Sequence, residues 1–322
     1  MLDVVGKRYW YFAFSLLIII PGTIVLLGSW IHTGSPLKLG IDFTGGTEMT
    51  IQIPQKDQSR EVGGVIGGVT GGVSFVQPVV GRADCPPKCR YIARTKQTTT
   101  KQNFAIQTDL KRRWPSAQIL TTRGVSGTIA SQLTQQAILA VAVAAIAILI
   151  YISVQFRNAP NPFRFGAAAI IAMLHDVLVV LGIFSILGAL ANVEVDAPFM
   201  TAMLTIIGFS VHDTIVIFDR IRENLARRTG EPFDVIVNHS ILQSFVRSIN
   251  TSFTVVLTLL AVFLFTGESI RFFVLAMLIG IISGTYSSIF NASQILVVWH
   301  NHEIRQLMGR GRGASAARAA SL

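Results

Sequence analysis

The sequence predicts a polytopic α-helical membrane protein, with six transmembrane helices and one α+β extracytoplasmic domain between the first and the second. Three observations point there. Of 322 residues, 51% are hydrophobic and 14% charged, and the mean hydropathy is +0.55. Soluble domains carry about 25% charged residues, so this chain cannot cover so large a core with polar surface and must use lipid as part of its solvent. Six apolar stretches (9–31, 137–154, 165–191, 197–218, 245–266 and 272–299) are long enough to cross a hydrocarbon layer about 30 Å thick. The one segment with soluble composition, 32–136, lies between the first two.

The first stretch follows Lys7-Arg8 but is too long for a signal peptide and lacks a small-x-small cleavage site, so it reads as a membrane span. Pro- and Gly-bearing breaks separate the later spans: Asn158-Ala159-Pro160-Asn161-Pro162, Asp196-Ala197-Pro198 and Gly267-Glu268-Ser269. Basic residues gather on one side: Lys7 and Arg8, Arg157 and Arg164, Arg220, Arg222, Arg227 and Arg228, then Arg305, Arg310, Arg312 and Arg318. The opposite turns hold Glu194, Asp196 and Glu268, with Arg271 the exception. By the positive-inside rule both termini are cytoplasmic. The net charge of +10 then reflects cytoplasmic loops, with no nucleic-acid partner implied. The expected organisation is 1–31, N-terminus and first helix; 32–136, external domain; 137–299, helices two to six; and 300–322, a basic, disordered cytoplasmic tail.

Within 32–136, the stretch 39–53 reads as a strand because Met49, Ile51 and Ile53 alternate in its second half. Strands are also expected at 73–80, 90–95 and 118–122, and a helix at 102–114. From Ser126 the chain runs helically into span two. The pairs Gly63-Gly64, Gly67-Gly68 and Gly71-Gly72 fit a helix or a loop. The reading leans to an irregular segment, because each glycine weakens a helix by about 1 kcal/mol. Cys85 and Cys89 suit a local disulfide closing a hairpin tip in an oxidising compartment, with free thiols as the alternative. Without nearby histidines they make a poor zinc site.

An ionisable side chain at mid-membrane costs at least about 2.5–3.5 kcal/mol and is a functional candidate by default. The candidates are His175 and Asp176 in span three, His212 and Asp213 in span four, and Arg247 at the start of span five, with Asp219 and Arg220 at the interface. Asp213 and Arg247 enter from the same side to similar depth on consecutive spans, so they are expected to face each other. A guanidinium favours the charged carboxylate and desolvation the neutral one, which would let the pair act as a proton relay. A static ion pair fixing helix packing is the alternative. Arg247, Asn250, Thr254 and Thr258 form a polar stripe, Thr201, Thr205 and Gly208 another, and Gly280-x-x-x-Gly284 with Ser287, Ser288 and Asn291 a small-residue face. His175-Asp176 either extends the relay, with His212 and Asn250, or bonds to a neighbouring helix or subunit. No metal site is expected, because HExxH and a third carboxylate cluster are lacking. The Gly40–Thr47 stretch lacks the Gly-Lys-Ser/Thr ending of a phosphate loop. No cofactor is implied, and any work would draw on an electrochemical gradient.

Three runs carry a family resemblance. They are Gly40-Ile41-Asp42-Phe43-Thr44-Gly45-Gly46-Thr47, the span-four run from Ser210 through Asp213, Asp219 and Arg220 to Asn224, and Arg247-Ser248-Ile249-Asn250-Thr251-Ser252. Together with the order of spans they resemble the SecF family of bacterial protein-export membrane subunits, in the resistance-nodulation-division superfamily. The resemblance implies a transport subunit, not an enzyme, in the bacterial inner membrane. It also implies a ferredoxin-like external domain and a SecD partner supplying six further helices. The implied work is association with the SecYEG channel and use of the proton motive force late in export of a translocating polypeptide. It assigns Asp213 and Arg247 to proton movement, and Gly40, Asp42, Phe43, Gly45 and Gly46 to the signature after span one. The Gly-pair repeat and the Cys85–Cys89 segment depart from the family pattern. Other readings are a proton-driven half-transporter for a lipid or small hydrophobic molecule, and a passive scaffold of the channel.

Overall fold

The structure is a computed structural model that describes residues 3–72, 75–79, 85, 88–157, 159, 161–228, 230–266 and 268–301. The tail arginines 305, 310, 312 and 318, and Asn158, Pro160 and Gly267 of the breaks, lie outside the described residues. In chain order the helices are α1 Arg8–Thr33, α2 Ile41–Thr44, α3 Ser59–Thr70, α4 Thr100–Arg113, α5 Gly127–Gln155, α6 Pro162–Ala191, α7 Ala197–Arg227, α8 Phe233–Phe265, α9 Glu268–Ser287 and α10 Ser293–His300. The strands are β1 Gly46–Ile53, β2 Phe75–Pro78, β3 Cys89–Thr95 and β4 Gln118–Val125. Two compact units result, an α+β unit of residues 39–138 with 195–197, and a helical unit built from the remainder.

The α+β unit runs β1-α3-β2-β3-α4-β4 with sheet order β2-β3-β1-β4, all neighbours antiparallel, which is a ferredoxin-like fold. The alternation in β1 sends Met49, Ile51 and Ile53 to one face, where they are buried with Tyr91 and Ala93 of β3 against Val62 and Ile66 of α3 and Ile106 and Leu110 of α4. Helix α4 starts on a capping box: Gln102 N–H donates to the Thr99 hydroxyl, and Thr99 N–H to Gln102 Oε1.

Two expectations are corrected here. The strand expected over 39–53 starts only at Gly46, because Ile41–Thr44 forms one helical turn first. The first two Gly pairs do not make an irregular segment: 59–70 is the helix α3, which Gly71 ends in a left-handed conformation. Val62 and Ile66, one helical turn apart and fully buried, anchor its inner face, so tertiary packing overrides the poor propensity of glycine. Of the expected strand 73–80, residues 73, 74 and 80 lie outside the described ones and Phe75–Pro78 forms β2. Cys85 and Cys89 are joined by a disulfide leading into β3.

In the helical unit α1, α5, α6, α7 and α8 are long and apolar enough to cross a membrane, and Ile270–His300 gives the sixth such run. This run contains a π-helical turn, Ser288–Ala292. The chain is a multi-pass membrane protein. Helices α7 and α8 outrun their apolar windows because their ends are amphipathic, and Arg222–Asp219, Arg220–Glu223 and Arg227–Glu223 pairs line the α7 extension. Helices α1 and α6 touch backbone to backbone: a Cβ on Gly22 would come within 2.6 Å of the Gly182 Cα. Phe156, Phe165 and Phe218 form an aromatic cluster joining α6 and α7 to the turn after α5.

A Cβ at Gly64 or Gly68 would meet nothing within 4 Å. Gly64→Ala and Gly68→Ala should therefore each stabilise α3 by up to about 1 kcal/mol, whereas Ile66→Ala should cost about 2–5 kcal/mol. Limited proteolysis across 59–72 checks both, with slower cutting in the glycine variants and faster cutting in Ile66→Ala.

Candidate functional site

The interior of the helical unit carries many buried hydroxyl side chains. Ser240, Ser244, Ser248 and Ser252 recur every fourth residue along α8 and are all buried. Opposite them, the last span buries Ser283, Thr285, Ser287, Ser288, Asn291, Ser293 and Gln294, and α7 buries Ser210, Asp213 and Thr214. Hydroxyls knit the helices together: Thr285 Oγ1 donates to Ser252 Oγ at 2.6 Å, Thr214 Oγ1 and Ser288 Oγ share a hydrogen at 2.9 Å, and Ser288 Oγ donates to the Ser210 carbonyl at 3.2 Å. Small residues permit this proximity. A Cβ on Gly284 would press on Ser210, and one on Gly280 would strike Ile206.

Asp213 sits in this interior, 3% exposed, with Ser248 and Ser252 as its side-chain neighbours on α8. Its Oδ2 and the Ser248 Oγ are buried without a hydrogen-bond partner, as are both amide atoms of Gln294. Orphaned polar atoms at such density call for internal water.

The expected pairing of Asp213 with Arg247 is not formed. Arg247 is exposed on α8, and the two residues make no ion pair. The reason is helical: Arg247 precedes Ser248 by one residue, about 100° of rotation, so the serine stripe that packs inward turns Arg247 outward. Asn250, Thr254 and Thr258 share its outer face, and on α7 Thr201, Thr205, Gly208 and His212 are also exposed. The outer threonine hydroxyls bond to their own helices. Thus the stripe expected to line the interior lies outside it, and His212, adjacent to Asp213 in sequence, and Asn250 are exposed. Serines at spacing four, 240 to 252, were the signal for the true inner face; the eye follows the larger charge.

Asp176 is fully buried. Its Oδ2 accepts from Ser210 Oγ and Ser287 Oγ, both at 2.6 Å, and its Oδ1 from Ser283 Oγ at 2.7 Å, with His175 Nδ1 3.0 Å from Oδ1. Neither Ser210 nor Ser283 stands out in the sequence as a partner of this acid. Asp219 and Arg220 lie at the end of α7, engaged with Arg222 and Glu223.

The Gly40–Thr47 segment belongs to the α+β unit and is built around a carboxylate. Asp42, 2% exposed, accepts from Arg123 Nη2 at 2.7 Å and from the Ala197 N–H at 2.9 Å, the first residue of α7. An anion there suits the positive end of a helix. Gly40 N–H donates to the Val195 carbonyl at 2.8 Å. Gly45 and Gly46 then turn the chain into β1 with φ of 73° and 125°, and a Cβ on Gly46 would sit 2.6 Å from the Thr95 oxygen, so only glycine fits. Phe43 occupies the single turn between them. Among the described residues no group of three or more His, Cys, Asp or Glu could hold a metal.

Residues 105–302 match the family of the protein export membrane protein SecD/SecF, C-terminal, and residues 33–53 match the SecD/SecF GG motif. The chain belongs to the SecD/SecF family. The protein translocase subunit SecF of Thermobaculum terrenum is 46% identical over 98% of this chain and 100% of its own length. The protein translocase subunit SecDF of Bacillus subtilis is 34% identical over 94% of this chain but 39% of its own. A crystal structure of SecDF, a translocon-associated membrane protein from Thermus thermophilus, superposes with a TM-score of 0.79 at 29% identity, over 93% of this chain and 39% of that one. The SecD/SecF region 105–302 spans Asp176, Asp213 and Arg247, and the GG motif is the Asp42 turn.

Asp42→Ala would strand a buried N–H and leave Arg123 unpaired. The expected loss is about 1–3 kcal/mol, with a smaller loss for Asp42→Asn, which retains one acceptor. Thermal unfolding in detergent checks the order wild type, Asn, Ala.

Proposed function

We propose that the chain is a SecF-type accessory subunit of the Sec protein translocase, working with a SecD partner and the SecYEG channel, which draws on the proton motive force through Asp213. In this reading it lies in the bacterial plasma membrane with both termini cytoplasmic and the ferredoxin-like unit outside, where it acts on the emerging polypeptide. Its full-length relatives are translocase subunits, a transport role and not a catalytic one, and this favours export over lipid transport. The fused SecDF relatives, of which this chain spans 39%, support SecD as the partner.

The observation that carries the proton reading is the setting of Asp213, a buried carboxylate whose neighbours are hydroxyls and which has one oxygen left open. A hydroxyl donates to a carboxylate and accepts from a carboxylic acid with equal ease. The pocket therefore serves both protonation states, as a guanidinium would not. One charge crossing 100 mV releases about 2.3 kcal/mol, enough to shift a helix packing equilibrium by more than tenfold. Arg247 then acts from the outer face of α8, where a partner's helices would supply what a lipid cannot: acceptors for a guanidinium and for the Asn250 amide.

Asp213→Asn should reduce proton-driven stimulation of export in inverted vesicles to background while the complex still assembles; full stimulation would contradict the relay. A cysteine at Thr254 or Thr258 should crosslink to SecD, and one at Ser244 or Ser252 should not. Crosslinking from the serine positions would show that the inner face has been misassigned.

A further inference from the structure

The membrane unit holds a second buried acid, and its environment differs from that of Asp213 in kind. Asp176 of α6 is saturated with donors from two other spans: Ser210 of α7 and Ser283 and Ser287 of α9. Gly284 lets α9 come close to α7, since a Cβ there would lie 3.3 Å from the Ser210 Cα and Cβ. Yet all three hydroxyls are neutral. They satisfy the lone pairs without cancelling the charge, and an uncompensated ion in such surroundings is unfavourable. Among the described residues the ion-pair partner of Asp176 is His175 alone.

His175 is itself nine-tenths buried, with 10% of its side chain exposed, and its Nε2 is buried without a hydrogen-bond partner. Among the described residues, the groups named around the pair include no other cation. From α9 comes Tyr286, whose ring lies 6.4 Å from the imidazole and whose hydroxyl donates to the Tyr11 carbonyl of α1 at 2.9 Å. From α1 comes Ser15, bonded to Asn291. From α7 comes Ser210, and Asp213 three residues further on faces α8.

We propose that His175–Asp176 is a second proton-binding site of the membrane unit, separate from Asp213, which takes its proton on the imidazole Nε2. In the unloaded form Nδ1–H donates to Asp176 Oδ1, Nε2 carries a lone pair, and the pair bears one negative charge. The incoming proton bonds to that lone pair, no other bond breaks, and the result is a neutral imidazolium–carboxylate pair. Loading therefore changes the charge at the point where α7 and α9 are held to α6, so the grip on span four, which also carries Asp213, depends on it. This deepens the proton-coupled reading of the chain but stands on different atoms.

The test is solid-state NMR of the full chain, labelled with 15N-histidine and reconstituted with its SecD partner in liposomes, from pH 5 to 9. The His175 Nε2 resonance, identified by its loss in His175→Gln or by correlation with Asp176 in the unsubstituted protein, should move from the unprotonated to the protonated region as pH falls. In Asp176→Asn the imidazole should stay neutral throughout. In Asp213→Asn the His175 transition should persist, so failure of the Asp213 relay and failure of this site are read separately. A His175 resonance fixed in one protonation state across the range overturns the proposal, as does a transition left unchanged in Asp176→Asn.

Discussion

A carboxylate buried among hydroxyls, with no ion pair among the described residues, is the constraint around which the membrane unit is organised. Asp213 cannot be placed in a hydrocarbon interior unless polar groups surround it. Bulky polar side chains would hold the helices apart. Serines and threonines solve both problems, because they bring oxygen without bulk and their hydroxyls reverse direction at little cost. The fourfold spacing on α8 and the small residues of the last span follow from this requirement. So does the outward turn of Arg247: the face that packs inward is the one whose side chains are small.

The α+β unit shows a parallel logic with a carboxylate that is fully engaged. Asp42 joins three stretches of the α+β unit distant in sequence: its own helical turn, β4 through Arg123, and the 195–197 segment through Ala197. Gly45 and Gly46 are needed because the chain must turn at once from that junction into the central strand of the sheet. The family signature is thus a turn within the α+β unit, in which the glycines provide the bend and the acid provides the tie.

Much of this architecture was legible in the residues because lipid imposes so strong a composition. The spans, the strand alternation at Met49, Ile51 and Ile53, and the helix carrying Phe104, Ile106 and Leu110 follow from period and length. Helix α3 was misread: Val62, Val65, Ile66 and Val69 keep helical spacing and pack on the core, but the glycines between them argue the other way until a sheet is present to pack against. The facing of Arg247 failed for a related reason. Depth along a helix can be counted from the sequence, but α8 has two polar faces, and the choice between them is made by what packs opposite. Asp213 is buried in the helical unit; rotation was misread for Arg247. The Asp176 cage draws one serine from α7 and two from α9, a coincidence in space that no single stretch of sequence announces.

The central claim is that Asp213 exchanges a proton while buried. Carbodiimides attack protonated carboxyl groups in apolar surroundings, so treating membranes that contain the assembled complex and mapping the adducts by mass spectrometry reads this directly. The account predicts an adduct on Asp213 whose yield falls as pH rises. An Asp213 that stays unmodified at every pH, in a complex still competent for export, would contradict it.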